Sequence, residues 1–150
     1  MYFLSGVLTL KGSALVTGTD VTFILLPGAS INTKGGGNFT TTGPKSAPST
    51  ASLPPAFQAY TNQLQYMGLY NASATPVQFG GSSNINITGN IYAPTAAVTF
   101  QGNSVILLSG GAGCGEVIAA SVTFNGNASL DSTGCSTATK LTAQYVSLVQ

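Results

Sequence analysis

The sequence predicts an all-β fold, a single right-handed parallel β-helix with three short strands per coil of about 24 residues. Three observations carry this. First, Ala96-Ala97-Val98-Thr99-Phe100-Gln101-Gly102-Asn103 returns 24 residues later as Ala120-Ser121-Val122-Thr123-Phe124-Asn125-Gly126-Asn127, with six of eight positions identical. A fixed offset of this size marks a solenoid, in which one supersecondary unit stacks on the next. Second, short apolar runs alternate with bends rich in Gly and Asn. Val98 and Phe100 point to one side of a strand and Thr99 to the other. Third, 43% of residues are hydrophobic but only 5% are charged, against a typical quarter. Uncharged Gly, Thr, Ser, Asn and Ala take the place of charges, which suits tight corners and a polar outer face.

Taken in order, residues 2–26 read as strands at Tyr2-Phe3-Leu4, Val7-Leu8-Thr9-Leu10, Ala14-Leu15-Val16 and Val21-Thr22-Phe23-Ile24-Leu25-Leu26, with breaks at Ser5-Gly6, Lys11-Gly12-Ser13 and Thr17-Gly18-Thr19-Asp20. Ile31-Asn32-Thr33 and Asn38-Phe39-Thr40 continue the pattern around Gly35-Gly36-Gly37. Strands of 4–6 residues with a Gly or Asn at each bend fit coils better than hairpins, which favour two-residue Asn-Gly or Asp-Gly loops. Residues 43–65 change character. The prolines at 44, 48, 54 and 55 cannot donate to a ladder, so this segment is an insertion into the coils. Residues 55–64 read as a short helix with Pro near its start and Phe57, Tyr60 and Leu64 on one face. That face covers solenoid surface or, in the sharper reading, joins Tyr66 to form a binding lip of Phe57, Tyr60 and Tyr66. Regular coils resume with Tyr66-Met67-Gly68-Leu69-Tyr70, Val77-Gln78-Phe79, Ile85-Asn86-Ile87-Thr88 and Val105-Ile106-Leu107-Leu108. Residues 141–149 alternate and read as a last strand.

The 150 residues fit one domain, 1–150. The net charge of +1 gives no steering toward nucleic acid or an anionic membrane. No apolar run of 18 residues exists, so no transmembrane helix is expected. The start lacks the basic and apolar regions of a signal peptide and reads as the interior of a longer protein. Cys114 and Cys135 read as a disulfide, which places the protein in an oxidising compartment. The rival readings are two buried thiols or half a metal site. Zinc needs four ligands, and there is no His to complete such a set.

Catalytic chemistry finds little to stand on. A nucleophile triad needs a base, and His is absent. Paired carboxylates must lie within roughly 5–10 Å of each other, and Asp20, Glu116 and Asp131 are the only acids. Gly35-Gly36-Gly37 and Gly110-Gly111-Ala112-Gly113 lack the Lys-Ser/Thr of a phosphate loop and read as corners. An ice-binding face wants Thr-x-Thr pairs on every coil. Here each rung offers a single outward Thr at Thr9, Thr22, Thr99 and Thr123, with Asn86 in another.

Several of these features together resemble a known family. They are Gly89-Asn90-Ile91-Tyr92-Ala93-Pro94, Val98-Thr99-Phe100-Gln101-Gly102-Asn103, and Cys114 followed by Val117 through Asn127 and Cys135. The segment from about Gly80 to Cys135 resembles the C-terminal β-helix region of bacterial TadG-like proteins, associated with tight-adherence (Flp-type) pilus assembly. The likeness is looser over residues 2–43 and weak over the insertion. In such proteins a membrane-anchored, pilin-like helix precedes the β-helix; its absence here fits a fragment. The resemblance implies a cell-envelope or surface role without catalysis, and transfers no functional residues beyond the two cysteines. The expected function is therefore a non-enzymatic extracytoplasmic module with no cofactor, structural or adhesive. Its expected partners are other pilus or cell-envelope proteins or surface glycans. The alternative is a carbohydrate-binding or carbohydrate-cleaving β-helix, which requires exposed aromatics beside acids or amides along one groove and falls if Tyr60, Tyr66, Tyr70 and Tyr92 are buried.

Overall fold

A computed structural model describes residues 1–81, 84–107, 109–110 and 113–131. It is mostly strand, wound as a β-solenoid of about five turns. The strands are β1 (Tyr2–Leu4), β2 (Val7–Gly18), β3 (Phe23–Leu25), β4 (Ser30–Thr42), β5 (Met67–Asn71), β6 (Val77–Phe79), β7 (Ile85–Thr88), β8 (Asn90–Phe100), β9 (Val105–Leu107), β10 (Ser109–Gly110), β11 (Gly113–Cys114), β12 (Val117–Phe124) and β13 (Ser129–Asp131). Three parallel ladders run the length of the molecule. The first stacks β1, β3, β5 and the starts of β8 and β12. The second stacks the starts of β2 and β4, then β6 and the ends of β8 and β12. The third stacks the ends of β2 and β4, then β7, β9 and β13. The two copies of the opening repeat lie in adjacent coils, with Val122 on Val98 and Phe124 on Phe100.

The expected break at Lys11-Gly12-Ser13 is absent. β2 continues through it, because the ladder to β4 absorbs the corner as register shifts between Thr9 and Lys11 and between Gly12 and Leu15. The same device lets β4, β8 and β12 each serve two faces. Gly110 pairs with Gly113 in a small antiparallel ribbon of β10 and β11 rather than forming a plain corner.

Inward side chains build the core. Phe39, Phe79, Phe100, Ile31, Leu69, Ile85, Ile87, Ile91, Val77 and Val98 are buried. A column of rings runs through it. Tyr2 meets Phe23 at 5.6 Å, Phe23 meets Phe39 at 5.0 Å, and Phe39 meets Phe79 at 5.8 Å. Phe79 then stacks on Phe100 at 5.6 Å, and Phe100 on Phe124 at 5.2 Å. Thr22, expected to face outward, is fully buried. It sits at a corner, and the alternation of β3 begins one residue later, with Phe23 facing the core. Among the described residues the Thr22 hydroxyl finds no hydrogen-bond partner, and neither does the buried Asn86 side-chain oxygen, but other polar groups brought inside are bonded at the corners. The Thr33 hydroxyl accepts from the Gly80 N–H at 2.8 Å, tying the second coil to the third.

The insertion leaves after β4 and returns at β5. Its neck is pinned by Tyr66 N–H to the Pro44 carbonyl at 2.7 Å and Asn90 N–H to the Tyr66 carbonyl at 2.7 Å. The expected helix over 55–64 is shorter: α1 (Pro55–Gln58) is followed by a 3-10 turn over Asn62–Leu64. Phe57, Tyr60 and Leu64 still share a side, because the Tyr60 N–H donates to the Phe57 carbonyl and the Leu64 N–H to the Tyr60 carbonyl. No helix among the described residues is long and apolar enough to cross a membrane.

Candidate functional site: an aromatic groove under the insertion

On the outside of the first ladder, register places Phe3, Ile24, Tyr70, Tyr92 and Ile118 in one row across five coils. All five are large and apolar or aromatic in a position that alternation assigns to solvent. The insertion covers the middle of this row, while Phe3 and Ile118 at its ends stay exposed. Leu53, Leu64 and Met67 are buried there, packed with Met1, Phe57, Tyr70 and Tyr92. Burial of each aliphatic side chain stabilises by about 1.5–3 kcal/mol, enough to hold a segment with little regular structure. Local hydrogen bonds stiffen it: the Gln58 side-chain amide donates to the Leu53 carbonyl at 3.1 Å, and Gln65 to the Lys45 carbonyl at 2.8 Å.

Between insertion and row lies a groove of about 560 Å³, lined by Ala56, Phe57, Tyr60, Gln63, Leu64, Met67, Tyr70 and Tyr92. The Tyr70 and Tyr92 rings stack at 5.7 Å with 15° between planes. The Phe57 edge meets Tyr70 at 6.1 Å and 83°, an arrangement that suits the ring quadrupoles. Tyr60 stands 57% exposed at the rim. Among the described residues no charged side chain lines the groove.

Of the three expected lip residues, Phe57 and Tyr60 come together here. Tyr66 does not. It adopts φ 58° at the insertion neck and lines a separate cleft of about 180 Å³ with Thr19, Asp20, Thr42, Lys45 and Thr88. Tyr70 and Tyr92, expected only as aromatics of a carbohydrate groove and not as part of this lip, line it too, and Gln63 joins them unexpected. Tyr70 and Tyr92 share the outward position of one ladder, but recognising that requires the β5–β8 register, which shifts between Met67 and Leu69.

Outward polar residues fall into two rows. Thr9, Asn32, Gln78, Thr99 and Thr123 occupy one, and Thr17, Thr40 and Asn86 belong to another. The second is two residues wide only where Thr42 joins Thr40 and Thr88 joins Asn86; β9 then brings Val105 and Leu107 into register. Such a ladder is too short and mixed to match an ice lattice. Among the described residues no three His, Cys, Asp or Glu side chains gather to hold a metal. Neither Glu116 nor Asp131 lines the groove. Cys114 lies in β11, while Cys135 and the strand expected at 141–149 fall outside the described residues.

No family model, curated protein or solved structure matches this chain.

Proposed function

We propose that the protein is a non-enzymatic, extracytoplasmic module of a pilus-associated or cell-surface protein, serving as a structural and adhesive element. The observation that carries this reading is the stack of about five parallel coils around one aromatic column, with uncharged Thr, Asn and Gln rows outside it. In a solenoid each coil is held by its neighbours, so the stack resists local opening and offers proteases few loops. The sparse acids and the absence of His give hydrolytic chemistry no evident general base. A Cys114–Cys135 disulfide belongs to the same reading. In the chain-entropy model, closing a loop of this size stabilises by about 3 kcal/mol.

Localisation tests it. Protease shaving of intact cells that express the protein natively should release it, and immunogold should label the envelope or its pili. Recovery solely from the cytoplasmic fraction would refute the reading. Unreduced protein should show no free thiol, and two titratable thiols after denaturation would remove the disulfide.

A further inference from the structure

We propose that the groove between the insertion and the first ladder binds a neutral, hexose-containing oligosaccharide. This rests on the surface reading above and names the ligand class its adhesive face would take.

Three features of the groove select that class. Its size, about 560 Å³, falls within the roughly 300–1,000 Å³ of small-ligand sites. Its aromatic character is concentrated where a sugar needs it. Tyr60 is 57% exposed at the rim, leaving ring surface available to the C–H face of a pyranose. Tyr70 and Tyr92 stack on each other, which occupies one face of each ring and leaves Tyr60 as the most open stacking surface. Its polar groups are unspent. Among the described residues no hydrogen bond is made by the hydroxyls of Tyr60, Tyr70 and Tyr92 or by the side-chain amide of Gln63, while nearby Gln58 and Gln65 are both committed to backbone carbonyls. Three hydroxyls and one amide can each donate and accept, which matches the alternating donors and acceptors of sugar hydroxyls.

The electrostatics fix the ligand's charge. Among the described residues no acidic or basic side chain lines the groove, and a charged ligand would lose hydration there without gaining a counter-ion. Uronates, sulfated glycans and acidic peptides are therefore disfavoured against neutral hexose chains. A greasy peptide would satisfy the rings but leave the hydroxyls and the amide facing apolar atoms, at a desolvation cost.

The test is affinity electrophoresis of the purified protein in gels containing laminarin, dextran, glucomannan or galactan, with alginate as the anionic control. Binding is quantified by tyrosine fluorescence, unobscured because the chain has no Trp. The expected result is retardation by at least one neutral glycan and none by alginate. Tyr60→Ala should weaken binding about tenfold, the loss of one stacking contact with its hydrogen bond. Tyr60 is exposed, so this variant should fold normally, and Tyr92→Phe provides a second probe that removes only a hydroxyl. Retardation by none of the four neutral glycans overturns the proposal. So does preferential binding of alginate, or glycan binding that both variants leave unchanged. Failure here with surface shaving positive leaves a structural surface module without a glycan site. A cytoplasmic protein that still binds glycan would instead overturn the surface reading alone.

Discussion

Replacing Phe79 by Ala should be among the most damaging single changes in the protein. Phe79 is fully buried in the third coil, with ring neighbours on both sides, Phe39 at 5.8 Å and Phe100 at 5.6 Å. Removal of a buried Phe side chain costs about 3–5 kcal/mol from lost transfer free energy and the cavity left behind. Of this, the two ring pairs account for about 0.5–1.5 kcal/mol each. A single domain is stable by only about 5–15 kcal/mol, so the change consumes a large share of the margin. The matched control is Phe124→Ala in the fifth coil. Phe124 is 42% exposed and stacks within the column on Phe100 alone, at 5.2 Å. Half the burial and one ring pair give about 1–2 kcal/mol. Urea unfolding followed by far-ultraviolet circular dichroism measures both. Because the solenoid is held coil to coil, Phe79→Ala should also broaden the transition as the two halves uncouple. Equal costs for the two variants, or a Phe79→Ala cost under about 1 kcal/mol, would refute a continuous aromatic column as the core.

Other changes probe the corners and the insertion. Gly102, in the repeated Gly-Asn corner, has φ +66°, and a Cβ there would collide with the Gly81 carbonyl oxygen. Gly102→Ala should therefore cost more than about 2 kcal/mol, while Gly12→Ala, at φ +59° in open space, should cost only the left-handed penalty of about 1–2 kcal/mol; thermal denaturation ranks the two. Thr33→Val removes the link between Thr33 and Gly80 and should destabilise by about 1–3 kcal/mol in the same assay. Replacing residues 45–65 with a short Gly-Ser linker should keep the strand spectrum, because Pro44 and Tyr66 already lie one hydrogen bond apart. It should also raise binding of a hydrophobic dye by uncovering Tyr70 and Tyr92; loss of the strand spectrum would contradict the insertion's role as a cover.

The coils were legible because they are written twice in nearly the same letters. Val98, Phe100, Val122 and Phe124 alternate with Thr at a constant offset, and the register pairs them. Earlier coils carry the same inward pattern, but their corners vary in length, so Lys11-Gly12-Ser13 looked like a break where the backbone bulges and continues. The groove was half legible. Pro55 set the helical turn, and the spacing of Phe57, Tyr60 and Leu64 put one side of it on the solenoid. Its other wall comes from Tyr70 and Tyr92, whose neighbours in the row are Ile24, reached across the insertion, and Ile118, reached across coils whose ladders shift register. Tyr66 was misplaced for a local reason: its positive φ turns the chain back into β5 and carries the ring to the neck. Thr22 failed the alternation rule because it precedes the strand rather than lying in it.

The most direct test of parallel stacking is the pattern of inter-strand nuclear Overhauser contacts between the two copies of the repeat. Stacked coils predict contacts from backbone amide and α protons of Ala97, Val98, Thr99 and Phe100 to Ser121, Val122, Thr123 and Phe124, following the observed register. Residue numbers should then differ by a constant 24 along the ladder. An antiparallel hairpin would produce pairs whose numbers instead add to a constant, with close α–α contacts at alternate positions, and that pattern would contradict the solenoid.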